Sequence, residues 1–221
     1  MDTDTDQPRR AEKYIKANFS PTPVPTVPEL CLRKAGPRSG LRRLAEMESE
    51  GSPPYWAYVW GGGVGLARYI LDHPDIVAGC RVLDLGSGSG LVAIAAAKAG
   101  ADRVIAADID RHAVVAARVN ADENGVKITV IQDDLTDGEP PDVDVVLVGD
   151  LFYEAELAQR VTTFLDRCLI QDIKVFVGDP GRAYLPRARL NLLAEHVGPD
   201  FGSGGGSLSR NSVYAFSCLN R

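Results

Sequence analysis

From Val82 to Gly90 the chain reads VLDLGSGSG, a carboxylate two residues ahead of three glycines spaced two apart. Glycines directly after an apolar strand let the backbone pass close to a ligand and aim N–H groups at it from a helix start. Two chemistries use such a turn. Gly88, Gly90 and Ala93 satisfy the G-x-G-x-x-G/A dinucleotide pattern, and Asp108 lies at the spacing of a ribose-binding acid. Asp84 argues the other way. Its charge opposes a pyrophosphate in a partly desolvated site, yet suits the amino group of a methionine moiety. No tyrosine is followed four residues later by lysine, the pair that short-chain dehydrogenases use.

The G-x-G-x-G spacing of Gly86, Gly88 and Gly90 tips the balance towards S-adenosylmethionine, with Asp84 on its amine. A nicotinamide cofactor, or a turn that serves only the fold, are the alternatives. Asp108, beside Ile109, can accept from both ribose hydroxyls, which leaves Asp110 as a helix cap. Of Asp133 and Asp134, one can accept from an adenine amino group while a neighbouring N–H donates to the ring. Asp134 with Leu135 is the expectation, against a solvated acidic turn. A later apolar run ends in Gly149-Asp150-Leu151-Phe152-Tyr153. Asp150 can accept hydrogen bonds from an incoming amine, or cap the next helix. Tyr153 offers a hydroxyl and a ring face worth roughly 0.5–2 kcal/mol to a cation. Trp56, Tyr58 and Trp60 form either a core cluster or a cover over the cofactor mouth, with Trp60 near the methionine end. Asp179-Pro180-Gly181-Arg182 is a turn by composition that can border a substrate groove.

These residues sit at the ends of short apolar runs. Residues 81–85, 103–107, 127–132, 143–148 and 173–177 read as strands, and 211–219 as a last one. Residues 11–20, 64–72, 91–99, 110–123, 153–168 and 185–196 read as helices, with Gly100 and Asn124-Gly125 as stops. Prolines at 21, 23, 25 and 28 impose an extended path. Alternation of this kind means a mostly parallel α/β sheet covered on both sides, with ligands at the carboxyl ends of its strands. The division expected is an N-terminal tail and extension over 1–50, its first ten or so residues disordered, followed by one domain over 51–221.

Composition narrows the class. Of the 221 residues 45% are hydrophobic, enough for a core, and no apolar run approaches the roughly 20 residues that span a bilayer. A net charge of −6 argues mildly against nucleic acid. The acidic start lacks the order of a secretory signal or transit peptide, which suits a cytoplasmic, bacterial setting. Cys31, Cys80, Cys168 and Cys218 form no C-x-x-C and are expected as buried free thiols. His73, His112 and His196 lack metal-ligand spacing and are expected to be structural or exposed, so no metal is expected.

The runs PPYWAYVWGGG, VLDLGSGSGLVAIAAAKAGA, AADID, GDLFYE and GDPGR together resemble the seven-β-strand protein-lysine methyltransferases, over about residues 20–220. Within that group the likeness is to enzymes acting on the electron transfer flavoprotein β subunit, bacterial relatives included. The glycine motif is shared by very many methyltransferases; its combination with WAYVW, DLFY and GDPGR is far more specific. The resemblance implies a Rossmann-like, doubly wound, seven-stranded class I sheet with a reversed last strand and a short N-terminal extension. It implies S-adenosylmethionine as methyl donor, cofactor contacts at Trp60, Gly86, Asp108 and the Asp134 region, and substrate-lysine contacts at Asp150 and Tyr153. It also implies a monomer acting on a protein. Methylation of ribosomal protein L11, of another protein or of a small molecule is the alternative, although L11 enzymes carry an N-terminal substrate domain that about 50 residues are too few to build. A degenerate fold serving as a binding module is the non-enzymatic alternative.

Overall fold

The computed structural model describes residues 7–35, 54–200 and 208–218. Strands β3 (Arg81–Leu85), β4 (Arg103–Asp108), β5 (Thr129–Gln132), β6 (Val145–Gly149), β7 (Lys174–Asp179), β8 (Leu190–Pro199) and β9 (Leu208–Phe216) form one sheet in the order β5-β4-β3-β6-β7-β9-β8. The pairs β3–β4, β4–β5, β3–β6 and β6–β7 are parallel. Only the last strand in sequence runs the other way, antiparallel to β7 and β8. The chain winds outward from β3 through β4 to β5, then crosses back to β6 on the other side of β3. That reversal opens a crevice at the carboxyl ends of β3 and β6.

Side-chain alternation sorts the apolar residues to two faces. Val82, Val104, Ala106, Val145 and Leu147 face a layer of helices α2 (Gly61–Asp72), α3 (Leu91–Lys98) and α4 (Arg111–Glu123). Leu83, Leu85, Ile105, Val146 and Val148 face α5 (Ala155–Ile170), through Phe164 and Leu165 among others. The alanines of α3 keep that helix thin. Asp110 caps α4 by accepting from the His112 backbone N–H at 2.7 Å. Gly100 (φ +91°) follows α3 and Gly125 (φ +66°) follows α4, in the left-handed region that stops a helix.

The N-terminal region is more ordered than its sequence suggests. Helix α1 (Gln7–Asn18) starts earlier than expected and packs Ile15 with Phe19, Trp56 and α4. The proline-rich stretch is extended, but as a hairpin of β1 (Pro21–Val24) and β2 (Val27–Arg33) rather than a free polyproline path. Leu30 and Leu32 of β2 join the core. Of the first ten residues, expected as a disordered tail, 7–10 are helical in α1 and 1–6 lie outside the described residues, as does most of 30–50. The four cysteines are free, but only Cys168 is buried; Cys218 is exposed and the other two are half-buried. Among the described residues no helix is long and apolar enough to cross a membrane.

One expectation fails outright. Residues 185–196 are not a helix: Leu190–Pro199 is β8, paired from Leu190↔Phe216 to Pro199↔Leu208. The helical preference of Leu, Ala and Glu amounts to tenths of a kcal/mol per residue. A long antiparallel ladder with β9, broken by one register shift between Leu192 and Ala194, outweighs it, because it pairs most of the backbone of both strands. Leu192 and Val197 consequently stand 56% and 63% exposed, not against a helix-facing core.

The start of α2 lies against the ends of β6 and β7 with no room for a side chain at Gly61 or Gly62. A Cβ on Gly62 would fall inside the envelope of the Gly178 carbonyl oxygen, whereas one on Gly63 would meet nothing nearer than Val92 Cγ2 at 3.8 Å. Gly62→Ala is therefore expected to destabilise by about 2 kcal/mol or more, and Gly63→Ala to be neutral or slightly stabilising. Thermal unfolding of both variants checks the contrast; equal midpoints would contradict the packing.

Candidate active site

A crevice of about 700 Å³ runs across the carboxyl ends of β3, β4 and β6. It lies within the 300–1,000 Å³ range of small-ligand sites. Its floor is the turn after β3. Gly86, Gly88 and Gly90 have φ of +67°, +51° and +82°, which only glycine adopts freely. The Gly86 and Ser87 N–H groups donate to the Ala107 carbonyl at 2.9 and 3.0 Å and tie the turn to β4. Gly86 and Gly88 line the crevice. Gly90 lies behind it, at the N-cap of α3, where an added Cβ would press on Ala117 of α4 at 3.0 Å.

Asp84 also acts from behind. It is buried, is absent from the crevice lining, and accepts from the Ala93 backbone N–H at 2.9 Å. The direct contact with an amine expected from the sequence is not its geometry: the carboxylate caps α3 under the turn. Burial pushes it up to about 7, and the Asp108 charge adds to the rise while the Ala93 N–H opposes it. Asp108 does line the crevice. It accepts from Gly88 N–H at 2.8 Å and from Asp110 N–H at 2.9 Å, and burial raises its carboxyl above the usual range. Beside it Ile109 is 68% exposed, a large apolar side chain at the rim.

Asp134 and Leu135 line the far end. Asp134 is already engaged. It accepts from Thr136 N–H at 3.0 Å and Thr136 Oγ1 at 2.6 Å, and pairs with Arg160. Burial works against its charge, but the hydrogen bonds from Thr136 and Arg160 outweigh burial and hold the carboxyl below its usual range. Neither Arg160 nor its pairing was legible from a spacing of 26 residues.

At the near end Asp150 follows β6 with φ +58°, a left-handed conformation that Asp tolerates better than most residues. It caps a helix, though α2 rather than the one that follows it: Oδ2 accepts from Gly63 N–H at 2.8 Å. Oδ1 accepts from Arg182 at 2.8 Å. Burial pushes this carboxyl up to about 7; the Arg182 charge and the Gly63 N–H pull it down, and Asp179 adds to the rise. The same Arg182 nitrogen donates to Asp200 Oδ1 at 2.9 Å, and that oxygen also accepts from Gly61 N–H at 3.0 Å. Asp200 was missed because it follows β8, a strand whose first seven residues were read as the end of a helix over 185–196. Only the GDPGR turn hinted at Arg182.

The aromatic cluster divides. Trp56 is buried against Phe19 and His112, ring centroids 5.7 and 6.2 Å away, and Tyr58 packs beside it. Trp56 and His112 still line part of the crevice, so that histidine is closer to the site than its sequence context suggested. Trp60 stands at the mouth. Tyr55 lies between Trp60 and Tyr153, with centroids 5.5 and 5.9 Å away, and the Arg182 guanidinium sits 5.4 Å from the Trp60 ring. Tyr153 is 46% exposed at the rim, and partial burial raises its hydroxyl above the usual range.

A family profile described as ribosomal protein L11 methyltransferase (PrmA) matches residues 69–156. The electron transfer flavoprotein beta subunit lysine methyltransferase of Xenopus laevis is 41% identical over 185 residues, covering 80% of this chain and 75% of the relative. The protein of that name from Danio rerio is 38% identical over 172 residues, covering 75% and 67%. This chain belongs to the electron transfer flavoprotein beta subunit lysine methyltransferase family. Among solved structures, TrmN from Thermus thermophilus aligns with a TM-score of 0.52 and 27% identity, covering 70% of this chain and 48% of that one.

The protein is an S-adenosylmethionine-dependent methyltransferase, and the crevice of this family member suits that donor. A Cβ on Gly86 would meet the Leu151 side chain, its Cδ2 at 2.6 Å, so the turn packs closely on that crevice residue. Ser87 Oγ is buried in the turn with no hydrogen-bond partner among the described residues. Asp108, Ile109 and Leu135 supply a carboxylate and two apolar walls for a nucleoside.

Asp84 holds its proton more tightly in the folded chain than in the unfolded one. Its penalty is absent at low pH and grows as pH rises towards 7. Asp84→Asn keeps an acceptor for Ala93 N–H without the charge. Urea unfolding is expected to show the wild type losing a few kcal/mol relative to Asp84→Asn between about pH 4 and pH 7, and no more above that. Parallel stability curves would show that the carboxyl titrates normally.

Proposed function

We propose that this chain transfers methyl groups from S-adenosylmethionine to lysine side chains of the electron transfer flavoprotein β subunit, releasing S-adenosylhomocysteine. The observation that carries the reading is one crevice with two unlike ends: a glycine turn beside a carboxylate at one end, and Asp150 with an aromatic wall at the other. Trp60, Gly86, Gly88, Asp108, Ile109, Asp134 and Leu135 are assigned to the cofactor, with Asp84 and Gly90 shaping the turn from behind. Asp150 and Tyr153 are assigned to the substrate lysine. Residues 51–221 are assigned to the methyltransferase domain, and 1–50 to an extension of it. A monomer acting in the cytoplasm on protein rather than nucleic acid is part of the same reading, and the net charge of −6 supports its last element, the exclusion of nucleic acid.

When bound, the cofactor supplies an electrophilic methyl carried on a sulfonium. The chain contributes alignment of the amine, which is worth several kcal/mol of barrier. At neutral pH about 99.9% of free lysine is protonated, given a pKa of about 10.4, so the amine must lose a proton, to solvent or to Asp150, before its nitrogen attacks. Tyr55, Trp60 and Tyr153 form an apolar rim that desolvates the ammonium and favours the neutral amine. A carboxylate has about four acceptor sites, so Asp150 keeps capacity beyond the bonds from Gly63 and Arg182. It is assigned first to orienting the amine.

Mass spectrometry of the β subunit after incubation with enzyme and cofactor, against a no-enzyme control, is expected to show methylated lysine. An unmodified β subunit would sink the substrate assignment. Asp150→Ala is expected to lower turnover more than about tenfold, with cofactor affinity by calorimetry little changed. Full methylation by that variant in a radiolabel assay would remove Asp150 from the mechanism.

A further inference from the structure

Two acids distant in sequence meet one cation at the mouth of the crevice, and a third fixes the turn that carries it. Asp150, Asp179 and Asp200 are all buried. Asp179 Oδ1 accepts from the Gly181 and Arg182 backbone N–H groups, each at 2.6 Å, and so fixes the turn that carries Arg182. The Arg182 side chain then bridges Asp150 and Asp200 through one nitrogen, while its guanidinium carbon sits over the Trp60 ring. The groups that face Asp150 are Gly63 N–H from α2, and Asp179 and Arg182 from the end of β7. Asp200, at the end of β8, stands across the shared guanidinium. Arg187 acts on Asp179 rather than on Asp150.

We propose that Arg182 is a positioning residue for methyl transfer: its guanidinium favours the ionised form of Asp150 and fixes its orientation, leaving the rest of that carboxylate for the substrate amine. This rests on the assignment of Asp150 to the substrate lysine made above. The physical need is plain. Without a permanent cation, neighbouring buried carboxyls repel one another and take up protons. A protonated Asp150 would aim a hydroxyl donor where an acceptor is required, and its link to the turn after β7 would be lost. A lone carboxylate would have the opposite fault. It would hold the incoming lysine as ammonium, the form that cannot attack. Sharing its charge with Arg182 lets Asp150 orient the amine with less bias towards its protonated state. Arginine suits the task because it stays charged when buried.

The test compares Arg182→Gln, Arg182→Lys, Asp150→Asn and the Arg182→Gln/Asp150→Asn double variant, using kcat/KM for the β subunit from about pH 6 to pH 9. Circular dichroism and S-adenosylhomocysteine calorimetry check that fold and cofactor site persist. Arg182→Gln is expected to move the acidic limb of the profile up by about one pH unit or more, losing about tenfold at pH 7 and recovering most of it by pH 9. Arg182→Lys should restore part of the shift. In the Asp150→Asn background, Arg182→Gln should add no further shift. A loss uniform across pH, or a limb shift that persists without the Asp150 charge, overturns the proposal. A carbon-13 titration of the Asp150 carboxyl in wild type and Arg182→Gln reads the same change without turnover, and an unmoved midpoint overturns it equally. A fully active Asp150→Asn is a separate result: it removes the Asp150 assignment itself.

Discussion

Backbone pressed against backbone at the start of α2 is the constraint from which the rest of the site follows. Gly62 lies on Gly178 and Gly63 lies on Gly149, where an added Cβ would meet Gly63 Cα at 3.2 Å. So close an approach buries the first turn of the helix, whose N–H groups have no partners within the helix itself. Gly61 and Gly63 therefore need acceptors from elsewhere, and Asp200 and Asp150 supply them. Carboxylates at a helix N-terminus also interact well with its dipole. Two buried acids then need a cation, and Arg182 answers both. Each step is a debt of hydrogen bonding or charge created by the one before it.

The two ends of the crevice have different standing within the chain. The PrmA profile spans residues 69–156, which hold the glycine turn, Asp108, Asp134, Asp150 and Tyr153. Trp60, Arg182 and Asp200 lie outside that span, and the vertebrate relatives align over 75–80% of the chain. Most residues proposed for the nucleoside, and Asp150 and Tyr153 with them, thus fall in the stretch shared with the PrmA profile, while Arg182 and Asp200, which brace Asp150 and the start of α2, come from the segment after it.

Much of this was legible in residue order. Buried parallel strands read as continuous apolar runs, so β3, β4, β6 and β7 stood out. The glycine turn was legible because three glycines after such a strand have few other uses, and Asp110 because a cap sits at a fixed distance from the helix it opens. What failed to show was long-range. Asp84 points down the helix behind the turn rather than into the crevice, and a carboxylate two residues before a glycine looks the same either way. Asp134 is paired with Arg160, and Asp150 with Gly63 and Arg182, across gaps that no local pattern encodes. The strand at 190–199 was hidden because its composition favours helix, while its partner strand lies beyond a glycine-rich stretch. Trp56 and Trp60, four residues apart in one motif, went to different surroundings because only one of them met α1 and α4.

The sheet order sets when a complete site can exist. Asp200 reaches Arg182 from the end of β8, and β8 is joined to the sheet only through β9, the last strand in sequence. A chain emerging from the ribosome can close the crevice around the glycine turn once β6 has docked, yet it has no seat for β8 until β9 has been synthesised and threaded between β7 and β8. The Asp200 carboxylate is therefore installed last, and a nascent or prematurely terminated chain would form the glycine turn well before Arg182 gained its second acid partner.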